Sequence, residues 1–85
     1  MMIPTVHTNG TGKKDLLEEL ETAVRAVREA RKAVLDITVH GRDYYVQGSN
    51  AYAQARTEMD VRLAALNQVR DDLQVMYAEI QKQGR

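Results

Sequence analysis

Residues 52–80 read YAQARTEMDVRLAALNQVRDDLQVMYAEI, and this stretch decides the fold. Tyr52, Met59, Leu66, Leu73 and Ile80 recur at every seventh position, with Ala55, Leu63, Val69 and Met76 between them. That is the period of a helix packed along one stripe; a half-buried strand would alternate every second residue. Ser49 or Asn50 offers an N-cap oxygen and Gly84 stands at the far end, so the pattern predicts a helix over 50–83.

Working back towards the N-terminus, Leu16, Leu20, Ala23, Val27, Ala30, Val34 and Ile37 follow alternating steps of four and three, which predicts a first helix over 13–39. Thr11 or Asn9 is the expected N-cap, and Gly41 is placed to end the helix in the left-handed conformation. Thr38 and Val39 are β-branched, so the last turn is expected to fray. The chain's single proline, Pro4, lies outside both helices. What remains is a polar arm, 1–12, and a connector, 40–49.

At ~1.5 Å per residue the two helices would span about 40 and 50 Å, and a connector of this length lets them fold back antiparallel. The expected fold is therefore all-α: a single domain forming an antiparallel two-helix hairpin with a polar N-terminal arm. Such a hairpin cannot cover its own apolar surface. Leu17, Val24 and Leu35 flank the first stripe, while Val61, Ala65 and Val75 widen the second. A homo-oligomeric helical bundle follows as the expectation, a dimer or a higher even-numbered assembly.

Composition narrows the function classes. Cysteine is absent, which removes disulfides and thiolate metal sites and places the expectation in the cytoplasm. Lysine plus arginine equals aspartate plus glutamate at 12 each, so no net field draws the chain to DNA or RNA. No membrane span or export signal is legible.

Two polar segments exceed what the helices need. The arm ends His7-Thr8-Asn9-Gly10-Thr11-Gly12-Lys13-Lys14 just before a helix, which puts hydroxyls, free amides and two ammonium groups at the positive end of a helix dipole. An anion site suits that arrangement. A nucleotide-hydrolysing P-loop does not, because Lys14 stands where a magnesium-binding hydroxyl belongs and no βαβ unit fits. A flexible arm with an ordinary threonine cap is the plainer account of the same residues.

The connector reads His40-Gly41-Arg42-Asp43-Tyr44-Tyr45-Val46-Gln47-Gly48. Arg42 offers a planar fork for phosphate or carboxylate, and a tyrosine face can stack on a base. Alternatively, Arg42 and Asp43 form a local ion pair while the tyrosines plug the end of the bundle. His7, His40 and Asp43 have no spacing that assembles a metal site, and no serine or cysteine is paired with a base. The expectation is no enzyme, no metal and no cofactor. Arg25, Arg28 and Lys32 share a face with Glu18, Glu21, Glu29 and Asp36 nearby, which reads as a solvated, salt-bridged surface.

Taken together, the two odd segments resemble a family of small bacteriophage proteins that carry His-Leu-Asn-Gly-Thr near the start and Arg-Asp-Tyr-Tyr-Pro-Gln-Gly between two helices. Thr8 stands where that pattern has Leu, and Val46 where it has the stiffening Pro. The family is similar to the helical sponges by which phages sequester the nucleotide signals of CBASS or Thoeris immunity. The resemblance implies an oligomer that binds a cyclic or ADP-ribose-derived nucleotide second messenger between subunits, without turnover. On that reading the binding residues are His7, Asn9, Gly10, Thr11, Lys13, Lys14, Arg42, Asp43, Tyr44 and Tyr45. Lys13 or Lys14 and Arg42 would hold phosphates, Tyr44 or Tyr45 would stack on a base, and Asn9 and Thr11 would bond ribose or base edges. A helical interaction or inhibitor module with no small ligand is the alternative.

Overall fold

The computed structural model describes residues 1–84 and is helical, with no strand among them. Helix α1 spans Lys13–Leu35 and helix α2 spans Ala51–Gln81. Their 23 and 31 residues correspond to about 35 and 46 Å of helix. Two short 3₁₀ turns, Gly41–Asp43 and Tyr45–Gln47, lie in the connection between them.

The helices run antiparallel. Lys13 Nζ donates to the Gln83 carbonyl at 2.6 Å at one end, and about two turns further in the Tyr77 hydroxyl donates to Glu21 Oε1 at 3.2 Å. At the other end the Tyr52 ring lies 3.7 Å from where a Cβ on Gly41 would sit. The arm is tied down beside the α2 terminus through one side chain. Gln83 Oε1 accepts the Val6 amide at 2.7 Å, and Gln83 Nε2 donates to the Pro4 carbonyl at 2.8 Å. A single amide thus reads the backbone on both sides of Thr5, and Val6 is buried beside it.

Several sequence expectations need correction at the helix ends. α1 stops at Leu35, four residues before the predicted Val39, because Asp36 and Ile37 close the last turn with bonds to Lys32 and Val34 carbonyls ahead of the β-branched pair. The connection consequently runs over 36–50, longer than 40–49. Gly41 does not end α1; it opens a 3₁₀ turn, and the left-handed glycine is Gly48, at φ 125°. Neither Thr11 nor Asn9 caps α1, whose N-cap is Gly12, and Asn50 caps α2 without a side-chain bond. α2 ends at Gln81, not 83, since Lys82 and Gln83 leave the helix and the Gln83 side chain is taken by the arm.

The stripes also differ in detail. Met59, Leu63, Leu66, Leu73, Met76 and Ile80 turn inward as expected, and Ile80 is the one side chain among the described residues with no exposure at all. Val24, expected at the flank, is instead among the most buried residues of α1, while Ala30 and Ile37 face out. A stripe chosen at a strict 3.5 period drifts off the contact line of a helix with 3.6 residues per turn. The same drift leaves Tyr52 and Val69 outside, and Arg56 covers the Tyr52 ring at 5.7 Å.

The molecule is a rod of 61 × 20 × 17 Å with a radius of gyration of 18.8 Å. A compact chain of this length would have a radius near 12 Å. Its surface of 6371 Å² exceeds the ~5100 Å² expected for a compact monomer of its mass. The excess is apolar in part: Val61 is 63% exposed, Val75 50%, and Leu35 and Ile37 are also open. Among the described residues no helix is long and apolar enough to cross a membrane.

Candidate functional site

Two helices that run antiparallel along a 61 Å rod put their ends far apart, and this decides where the candidate residues fall. His7, Asn9, Gly10, Thr11, Lys13 and Lys14 lie at the end where α1 begins and α2 finishes. Arg42, Asp43, Tyr44 and Tyr45 lie at the opposite end. One chain therefore does not bring the two segments together, and a pocket containing both needs a second copy.

At the connector end, the 3₁₀ turns raise a short polar crest. Arg42 and Asp43 are both exposed and, among the described residues, neither side chain makes a hydrogen bond or ion pair. The local Arg42–Asp43 pair weighed from sequence does not form. Tyr44 is half-buried, whereas Tyr45 is 74% exposed, so only one of the two rings helps to close the hairpin end. An exposed guanidinium and an exposed phenol ring thus lie three residues apart on the same tip.

The arm end is more fully engaged. Lys13 gives its ammonium to the Gln83 carbonyl, which leaves it a structural tie, and Lys14 lies 3.9 Å from Glu18 on an open surface. The imidazole of His7 lies over Gly10, where a Cβ would come within 2.6 Å of Nε2, and the Gly10 amide closes a turn onto the His7 carbonyl at 3.2 Å. Asn9 and Thr11 are exposed. No capping side chain occupies the first turn of α1, but Asp15 already supplies a negative charge there.

A third region was not anticipated. Along one side of the hairpin a groove of about 480 Å³ is lined by Glu21, Val24, Arg25, Arg28, Gln74 and Tyr77. Partial removal from water, then the Glu21 charge, then the hydrogen bond to Glu21 push the Tyr77 hydroxyl above its ordinary value. Arg25 and Arg28 were expected to be neutralised by nearby acids. The ion pairs formed among the described residues are Lys14–Glu18, Arg70–Asp71 and Lys82–Glu79, so both arginines remain unpaired. A second, acidic hollow formed by Asp15, Glu18, Glu19 and Thr22 lies further along α1.

Comparison with known protein families, with curated proteins and with solved structures gives no match to this chain. Among the described residues no group of three or more His, Asp or Glu is placed to hold a metal ion. The signal for the groove was present in the sequence as Arg25 and Arg28 three residues apart, but only the pairing of α1 with α2 sets Gln74 and Tyr77 beside them.

Proposed function

We propose that this chain is a phage-type anti-defence protein, a homo-oligomer of helical hairpins that sequesters a cyclic or ADP-ribose-derived nucleotide signal without cleaving it. The observation that carries the reading is the connector tip, where the Arg42 and Tyr45 side chains stand exposed and, among the described residues, unpaired. A planar fork beside an aromatic face is the pairing that recognises a phosphate next to a base. Because arm and connector occupy opposite ends, the complete site would form between copies, the arm of one beside the connector of another. The open apolar positions Leu35, Ile37, Val61 and Val75 supply the reason for copies to associate.

The test is a thermal-shift series on the full chain with cyclic di-AMP and cyclic tri-AMP. A ligand at about a hundred times its dissociation constant stabilises the native state by ~2.7 kcal/mol, and the nucleotide should be recovered unaltered after denaturation. Arg42→Ala and Tyr45→Ala should abolish the shift while helicity and oligomer mass stay intact. Loss of oligomer in those variants would assign the connector to assembly and sink its role in ligand binding.

One observation favours a second reading. Val61 and Val75 lie on the outer face of α2, and their exposure suits a helical module that inhibits or scaffolds another protein without a small ligand. Such a module would show no nucleotide shift, and these valines would stay accessible in the purified oligomer.

A further inference from the structure

The large apolar side chains open to water among the described residues fall in three places. Val61, Val69 and Val75 lie along the middle of α2. Leu35, Ile37, Tyr45 and Val46 are among those around the connector. Met1 and Met2 begin the arm, which Gln83 ties beside the far end of α2. The hairpin's surface exceeds the compact expectation by about 1,300 Å². A standard dimer takes about 800 Å² from each partner, so one added copy is enough to remove the excess.

The outward line of α2 also carries a direction. Val61, Gln68 and Val75 recur at seven residues and are all exposed. Ala64 and Ala65 precede Gln68 by four and three residues, Asp71 and Asp72 follow it by three and four, and these flanking positions are exposed as well. The helix's arginines, Arg56, Arg62 and Arg70, each lie about 120° or more around the helix from Gln68. A copy laid parallel and in register would set Asp71 and Asp72 against the same acids of its partner, with no cation on the line, and like charges so placed oppose association. A copy laid antiparallel about Gln68 sets each acid against Ala64 or Ala65 and each valine against a valine. Gln68 already gives an amide hydrogen to Asp72 Oδ1 at 2.9 Å, and its remaining polar groups can meet those of the partner's Gln68, since an amide both donates and accepts.

We propose that α2 packs on α2 of a second copy, antiparallel about a two-fold axis beside Gln68, with Val61 against the partner's Val75. The self-complementary patch is what a two-fold contact demands. The inference rests on the association of copies in the function proposed above and adds its geometry. Antiparallel packing lays the connector of one copy level with the arm of the other, as a site shared between them requires.

Cysteine substitutions in the full chain test this, because it has no cysteine of its own. Under mild oxidation Gln68→Cys should cross-link to itself. Val61→Cys and Val75→Cys should each stay largely uncross-linked alone, since like positions stand about 21 Å apart along the pair, and should join several times more when the two are mixed. Circular dichroism checks that each variant keeps its helices. Self-cross-linking of Val61→Cys and of Val75→Cys would mean a parallel pair and overturn the proposal. So would a mixture that links no better than its parts, and an oligomer with no cross-link at any of the three positions; both leave sequestration standing on another contact. A light-scattering mass of 9.6 kDa for the unsubstituted chain would remove both readings. If the cross-linked Gln68→Cys dimer forms while no cyclic nucleotide raises its midpoint, sequestration falls and the α2 contact stays.

Discussion

Single residues at the bends and rungs of this hairpin do work that neither helix could do alone. Gly48 sits at φ 125°, ψ 165°, a conformation essentially reserved for glycine, and nothing crowds the place where its Cβ would be. Gly48→Ala should therefore destabilise by ~1–3 kcal/mol from backbone strain alone, read as a lower midpoint in urea with an unchanged slope. Tyr77 offers a test by pH. Its hydroxyl is raised above 10.0 by partial desolvation and by Glu21, so its contribution to stability is intact below about 10 and disappears as pH rises through the folded value. Glu21→Gln should lower the Tyr77 ionisation seen by ultraviolet titration; an unmoved transition would show that Glu21 is not a cause.

At the scale of elements, the arm and α2 depend on each other through Gln83. Its amide makes two bonds to the arm backbone and its carbonyl receives Lys13, which ties three parts of the chain at one point. Gln83→Ala removes the two side-chain bonds, and at about 0.5–1.5 kcal/mol each the arm should lose most of its hold. Faster amide exchange at Val6, with protection along α1 and α2 retained, is the expected outcome; an equally protected Val6 would mean that burial of its side chain suffices. The helices themselves were legible because apolar periodicity is a property of local chain geometry. Their ends were not, since Asp36, Ile37 and Gln83 are placed by bonds that compete with one more helical turn.

For the whole molecule the dominant fact is thinness. A rod with a radius of gyration of 18.8 Å, where about 12 Å would be compact, has too little interior to hold its apolar side chains, and among the described residues only Val6, Val24 and Ile80 are buried hydrophobics. Association of copies through Val61 and Val75 would remove part of that exposure. Val61→Asp/Val75→Asp should lower the oligomer mass measured by light scattering and reduce stability at micromolar concentration. An unchanged mass would show that Val61 and Val75 hold no copies together.

Read without its fold, the sequence determined that two helices form, that they are joined by an unusual tyrosine-bearing connector, and that a lone hairpin leaves apolar surface open. Each of these depends on residues near one another along the chain. Only the tertiary structure decided which residue of α1 lies opposite which of α2, because a periodic stripe names a face and says nothing of register across it. That register moves Val24 inward and turns Arg25, Arg28, Gln74 and Tyr77 from scattered polar positions into one groove, whereas the distance from the arm to Arg42 and Tyr45 follows from the antiparallel hairpin itself.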